Sequence, residues 1–404
     1  MGDIVTLHLI SILGKPRKNT DGDRTYETAA YRFPDGTVHT TPAFGLALAK
    51  WLGSRAKAPL QLDRILWLGT VQSAWASLLQ SVLGDEAAEE PLYLELYEAA
   101  APSQPQLDQL AGLLGQATGR HHECRLVPPC ADPAEQQGFV SLLGDELKTK
   151  DRVVLDLTHG LRNQSLMLAQ SALMLEGAFE VRIEELFYGG LEIPRPEGEP
   201  APAVDLTGLL VQARLAQALA AFRESGDVRV LVPHLPEGGF RKQVENLGHL
   251  VAIHDYTQAR SVATSALGSI AGAGTGLLEP AIRGALESFK ARSLPESQFQ
   301  QAEAHLERKD YFRATLELFE GAITRVCQRK GLETFEYQDR KQARQALRDR
   351  CSDDWKTLEF LRNQMAHGVA SDWHGLMKRA KDPLELEKLL GHLRVAIPEL
   401  ADRA

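Results

Sequence analysis

The sequence predicts two folds in succession: a doubly wound α/β domain over residues 1–205, then an all-α region of connecting helices and a helical domain over residues 206–404. Three observations predict this. Short apolar runs alternate with helical patterns in the first half, and helical periodicity alone fills the second. Between them Pro194 to Pro202, PRPEGEPAP, concentrates proline and glycine and reads as a surface excursion where regular structure stops. A chain of 404 residues also favours two cores over one.

Ile4 to Leu13, IVTLHLISIL, reads as a strand buried on both faces, followed by Gly14 and the basic run Lys15, Pro16, Arg17, Lys18. Further strands are expected at Arg64 to Gly69, Leu92 to Tyr97, Cys124 to Val127, Arg152 to Leu157 and Val181 to Tyr188, with helices at Ala43 to Leu52 and Ser73 to Leu83. Such alternation implies a mainly parallel sheet. Beyond the excursion, helices are expected at Leu206 to Phe222, Arg241 to Ser269, Glu279 to Arg292, Glu296 to Arg329, Gln338 to Arg348, Asp354 to His367 and Leu384 to Leu393. Leu306, Ala314, Leu318 and Ala322 predict one long amphipathic helix across Ala302 to Ile323, packed against the helix that carries Arg362. The small-residue run Gly268 to Gly276 has no lysine and no preceding strand, so it reads as a helix connection, not a phosphate loop.

The composition, 44% hydrophobic with a formal net charge of -9, argues against sequence-independent coating of nucleic acid and limits any contact with it to a local basic cleft. Four cysteines, Cys124, Cys130, Cys327 and Cys351, have neither CxxC spacing nor the density of a disulfide framework. The expected compartment is a reducing cytoplasm, since no apolar run reaches the length of a membrane span and the start lacks the basic region of a signal peptide. There is no GxGxxG after the first strand and no GxxxxGK[ST], which removes support for dinucleotide and P-loop chemistry. His121, His122, His249, His254, His374 and His392 show no metal-ligand spacing, so no metal or cofactor is expected.

In a doubly wound sheet ligands collect at the carboxyl ends of strands. Three strand exits stand out: Ser11 with Leu13, Gly14 and Lys15; Gly69 and Thr70 with Ser73; and Asp156, Thr158, His159, Gly160, Arg162 and Asn163. At the third, an apolar strand ends in polar residues before a helix running to about Leu175, so helix amides would face the crevice as an anion site. The same residues also admit a purely structural role: Gly for turn geometry, Asp as a cap or buried acceptor, His as a packed side chain.

Leu358, Leu361 and Met365 recur at i, i+3 and i+7, which makes the stretch from Leu358 to His367 a helix with one buried stripe, ended by Gly368. Asn363 and His367 share a face, and Arg362 needs its long side chain to reach it. Arg, Asn and His together suit a phosphodiester: Arg for developing charge, His for proton transfer, Asn for orientation. An Arg-x4-His pattern arises about once by chance in a chain of this composition, and it occurs twice. The other copy, Arg229 to His234, lies among β-branched residues with Pro233 and reads as a decoy. The competing reading of the first copy is that Arg362 pairs with Asp354 or Glu359 while His367 merely ends the helix.

The segment Asp156-Leu157-Thr158-His159-Gly160 matches the DxTHG signature of a group of CRISPR-associated proteins, and Gly69-Thr70 with Ser73 and Trp75, and Tyr26 to Tyr31 after the first strand, resemble the same group. The resemblance implies an N-terminal Rossmann-like CARF domain that binds cyclic oligoadenylate in type III CRISPR defence, and a C-terminal HEPN ribonuclease domain with an Arg-x4-6-His motif. It further implies a homodimer or higher oligomer in which two copies of Arg362 and His367 line one cleft, and metal-independent cutting of single-stranded RNA rather than DNA. The expected activator is cyclic tetra-adenylate, with cyclic hexa-adenylate as the alternative. Two other functions fit the same signature: a sensor whose helical domain binds a partner without cutting, and a CARF domain that degrades its own ligand.

Overall fold

All seven residues of β1 (Leu7–Leu13) are buried, because this strand is covered on both faces. Leu7, Leu9 and Leu13 pack to one side and Ile10 and Ile12 to the other, as the two-residue period of a strand requires. The computed structural model describes residues 6–15, 17–19, 25–57, 59–368 and 375–404, so Ile4, Val5, Pro16 and His374 lie outside the described residues. They form two compact units, Met1–Ala213 and Arg214–Ala404.

In the first unit β1 is followed by β2 (Ala29–Arg32), β3 (Val38–Thr41), α1 (Phe44–Ser54), β4 (Arg64–Gly69), α2 (Ala76–Leu83), α3 (Pro91–Glu98), α4 (Gln104–Thr118), β5 (His121–Leu126), α5 (Pro133–Glu146), β6 (Arg152–Asp156), α6 (Arg162–Phe179), β7 (Arg182–Gly189) and β8 (Ala201–Asp205). The eight strands form one sheet in the order β3-β2-β8-β7-β6-β1-β4-β5. Its central run from β7 to β5 is parallel, while β2 with β3 and β7 with β8 are antiparallel. Helices α1 to α4 cover one face and α5 and α6 the other. At one edge β5 carries Glu123 between Arg64 (3.2 Å) and Arg125 (2.8 Å).

Two expectations for this unit need correcting. Leu92 to Tyr97 is not a strand: it lies inside α3, where Pro91 occupies the first turn and Leu92, Tyr93 and Leu96 form a buried helical stripe. The alternating pattern LYLELY fits both periods, and the proline decides it. The expected break from Pro194 to Pro202 also runs too far, since Ala201 and Pro202 already belong to β8. The strands β2 and β3 are four residues each, too short to show a period in sequence.

The second unit begins within α7 (Thr207–Ser225) and continues with α8 (Gly239–Ala252), α9 (Tyr256–Ser269), α10 (Glu279–Glu287), α11 (Leu294–Glu307), α12 (Tyr311–Lys330), α13 (Tyr337–Asp349), α14 (Asp353–His367), α15 (Leu376–Ala380) and α16 (Pro383–Arg403). Here the expected helix boundaries fail twice for one reason. Arg241 to Ser269 divides where His254 takes φ +59 and Asp255 caps α9 by accepting from the Gln258 amide at 3.0 Å. The single helix expected across Ala302 to Ile323 divides likewise, with Lys309 at φ +62 and Asp310 accepting from the Arg313 amide at 3.1 Å. Each is a positive-φ residue followed by an Asp cap, a signal that apolar periodicity overrides. The second half of the long helix, α12, does pack against α14, as expected. The run Gly268 to Gly276 closes α9 and continues in short 3₁₀ turns, Ile270–Gly272 and Gly276–Leu278.

Candidate functional site

In the order β6-β1-β4 all three strands run parallel, so their carboxyl ends emerge along one rim of the sheet. Ser11 is level with Asp156, and Leu13 with Gly69. The three exits singled out in sequence are therefore neighbours in space.

Hydrogen bonds lock these exits together. The fully buried Asp156 carboxylate accepts from Ser11 Oγ at 2.6 Å and from the Thr158 amide at 2.8 Å. Burial pushes its carboxyl above the usual range, against the opposing pull of His159 and these hydrogen bonds. Thr158 Oγ1 accepts from the Gly189 amide at 2.7 Å, joining the loop to β7. His159 turns inward: its Nε2 accepts from the amide of Phe44, the first residue of α1, at 3.4 Å, and burial lowers its pKa against the raising effect of Asp156. Ser73 Oγ donates to the Leu13 carbonyl at 2.7 Å and accepts from the Thr70 amide at 3.0 Å. Asn163 Nδ2 donates to the Pro129 carbonyl at 2.8 Å.

Glycines permit these contacts. A Cβ on Gly14 would stand 2.9 Å from Cβ of His159, and one on Gly69 would meet Trp75 at 2.7 Å. Gly160 has φ +88, and a Cβ there would fall 2.3 Å from Ile12, so only glycine fits.

Of the residues expected to contact a ligand, Ser11, Ser73, Asp156, Thr158, His159 and Asn163 are thus engaged inside the protein, and Leu13 and Gly69 are buried. Those that reach solvent are Lys15, Gly160 and Arg162, with Gly14 and Thr70 half-buried between them. The helix start adds to this, because its cap residue Leu161 has no side-chain acceptor to satisfy the first amides of α6. Lys18 of the basic run is held away, its Nζ 2.7 Å from the Tyr97 carbonyl and over the Tyr97 ring. Sequence reasoning missed Phe44 and Gly45 of α1, which press on His159 and Ser11; their only signal is the bare N-terminus after Pro42.

In the second unit, α14 spans Asp353–His367 and ends at Gly368, φ +63, whose amide donates to the Gln364 carbonyl at 2.8 Å. Trp355, Leu358 and Leu361 are buried, and Met365 packs beside them. Arg362 Nη1 donates to Asn363 Oδ1 at 3.1 Å, and its guanidinium lies over the Phe319 ring of α12, 5.4 Å from the centroid. Phe319 in turn stacks on Trp355 at 5.0 Å. Sequence reasoning did not find Phe319, which reads simply as core.

Both carboxylates that would make Arg362 structural are taken by other groups. Glu359 accepts from Arg344 Nε at 2.6 Å and Arg348 Nη2 at 2.8 Å, and Asp354 accepts from His392 at 2.9 Å. Arg362 Nε is buried with no hydrogen-bond partner among the described residues. His367 is exposed one turn beyond Asn363. The structure brings Arg362 and Asn363 into contact but joins neither to His367 within the described residues of this chain. The decoy copy behaves otherwise: Arg229 forms a short 3₁₀ segment with His234 and its guanidinium grips Asp227 at 2.6 Å.

Among the described residues no group of three or more His, Cys, Asp or Glu could hold a metal ion, and no helix is long and apolar enough to cross a membrane. No protein-family model matches the chain. It is 24% identical over 260 residues, 59% of its length, to CRISPR-associated protein MJ1674 of Methanocaldococcus jannaschii. The match spans only 39% of that relative. The solved structure of Enterococcus italicus Csm6 bound to cyclic hexa-2′-fluoro-hexa-dAMP aligns over 98% of this chain and 95% of its own, at 11% identity and a TM-score of 0.31, too low to equate the two folds.

Proposed function

We propose that this chain is a cyclic-oligoadenylate-activated, metal-independent endoribonuclease of type III CRISPR defence, with a CARF domain over residues 1–205 and connecting helices and a HEPN domain over residues 206–404. The observation that carries the reading is the Arg362 guanidinium, paired to neither Glu359 nor Asp354 and held with Asn363 near the exposed end of α14. The DxTHG segment at the rim of the sheet and the similarity to a CRISPR-associated protein supply the context.

RNA carries its own nucleophile, so the protein has to align the 2′-OH with the leaving oxygen, move a proton and stabilise the phosphorane. Arg362 offers its planar fork to the phosphorane oxygens, Asn363 fixes that fork or the phosphate, and His367 serves the 2′-OH or the leaving oxygen. The products are a 2′,3′-cyclic phosphate and a 5′-OH. Two copies of the chain contribute Arg362 and His367 to one cleft. The activator, cyclic tetra-adenylate in preference to hexa-adenylate, binds at the strand exits. There the outward groups are Lys15, Thr70, Gly160, Arg162 and the first amides of α6, while the inward residues fix their positions. It activates by binding the cutting-competent state more tightly than the resting one.

The test is cleavage of a single-stranded RNA by wild type, Arg362→Ala and His367→Ala, each with cyclic tetra-adenylate, cyclic hexa-adenylate or neither. Ligand-dependent cutting lost in both variants is expected. Full activity in His367→Ala overturns the site, and indifference to both ligands overturns the switch.

A further inference from the structure

The helical unit encloses a cavity of about 340 Å³ between the end of α7 and helices α8 to α11. Part of its wall is apolar, with Phe222, Val251, Ala281 and Phe289, and Gly248 and Gly284 contribute no side chain. This size is within the range of small-molecule sites, roughly 300–1,000 Å³.

Unsatisfied polar groups collect on its wall. His305 of α11 is 5% exposed, yet neither ring nitrogen has a hydrogen-bond partner among the described residues. The Asp310 carboxylate stands 3.8 Å from Nδ1, beyond hydrogen-bond reach, and already caps α12. Burial pushes His305 down to about 4, so at neutral pH it is an uncharged ring whose N–H can sit on either nitrogen. Arg308 joins no ion pair among the described residues, and its guanidinium rests against the backbone of Gly226. The acid on the same wall, Asp227, is occupied by Arg229 at 2.6 Å. Tyr256, also buried here, faces Glu317 but its hydroxyl has no hydrogen-bond partner among the described residues, and Arg313 pairs with Asp310 at 3.4 Å, so the cation left beside His305 is Arg308.

We propose that this cavity binds a small anionic amphiphile, its apolar body against Phe222 and Phe289 and its carboxylate or phosphate head accepting from Arg308 and His305. A buried donor left without an acceptor is destabilising, and an acceptor on the ligand relieves that. A neutral apolar ligand leaves both donors unpaired, and a cation meets Arg308.

The test is calorimetric titration of the full chain with octanoate, octyl phosphate and octan-1-ol, which share one apolar body. At least one anion is expected to bind tenfold or more tightly than the alcohol, and which one does identifies the head group. Gly284→Leu fills the cavity, since no heavy atom lies within 4 Å of a Cβ placed there, and it removes binding while the fold is retained. Arg308→Gln weakens the preferred anion tenfold or more and leaves the alcohol unchanged. Binding of neither anion, equal binding of the alcohol, or undiminished binding in Gly284→Leu or Arg308→Gln overturns the proposal.

Discussion

Arg362 donates from Nη1 to Asn363 Oδ1 across 3.1 Å, so two adjacent residues on one helix turn hold a cation and its orienting amide together. Replacing Arg362 by Lys keeps the charge and loses the fork. Loss of one charge-stabilising donor set lowers turnover about 100- to 1,000-fold. Asn363→Ala removes one hydrogen bond to a charged group, worth about 1.5–3 kcal/mol, and lowers turnover roughly 10- to 100-fold. Single-turnover cleavage with saturating activator measures both. Equal rates in wild type and Arg362→Lys would mean that the guanidinium geometry is irrelevant.

Phe319 supports Arg362 from below, and Arg344 shares the ring at 5.4 Å. Phe319→Leu keeps an apolar side chain in the core but removes the platform, whose attraction for a guanidinium is about 0.5–2 kcal/mol. The expected result is a several-fold fall in turnover with little change in KM. A change in melting temperature with turnover intact would assign Phe319 to packing alone.

At the rim of the sheet, Gly160→Ala should destabilise the protein by about 1–3 kcal/mol from backbone strain, with more from the clash with Ile12. Gly36, at φ +86 with nothing within 4 Å of its would-be Cβ, is the control that carries strain without a clash. Urea titrations of the two variants isolate the contact by difference. If they unfold at the same midpoint, the packing of the third exit onto β1 is looser than the distances indicate.

Acid lability follows from His122, which is 3% exposed, accepts from Trp67 Nε1 at 3.0 Å, and is pushed down to about 4 by burial. In the unfolded chain it titrates near 6.5. As pH falls below that value the unfolded state takes up the proton first, so stability is complete above about 6.5 and is lost toward 4. The slope is about 1.4 kcal/mol per pH unit and the total about 3 kcal/mol. Denaturant midpoints from pH 7 to 4.5 should fall less steeply in His122→Gln, by close to one proton. Parallel curves would assign the acid sensitivity elsewhere, for instance to His8, which burial also lowers.

The central strands were legible because burial on both faces writes an unbroken apolar run, as in Arg64 to Gly69, where the expected and observed limits coincide. The rim was legible as a set of residues but not as an orientation. Whether His159 faces a ligand or the Phe44 amide depends on where α1 crosses, and that position is a tertiary fact about Gly45 fitting over Ser11. The strands β2, β3 and β8 were missed because runs of four or five residues are too short for a period to be detected. On α14 the buried stripe and the glycine end were both readable. The release of Arg362 from Glu359 was not, because it depends on Arg344 and Arg348 of α13 claiming that carboxylate first.

Glu123, set between Arg64 and Arg125 on the outermost strand, also bears on whether a second strand could add to the sheet at that edge. A strand added alongside β5 would have to dehydrate that cluster, and charged edge strands resist such addition. The opposite edge, β3, is four residues long and offers little ladder to extend. Growth of the sheet from one copy into another is therefore disfavoured at both margins. Were copies of this chain to associate, helix surfaces such as that of α6, where Leu166 is 73% and Met174 52% exposed, are what is left for it.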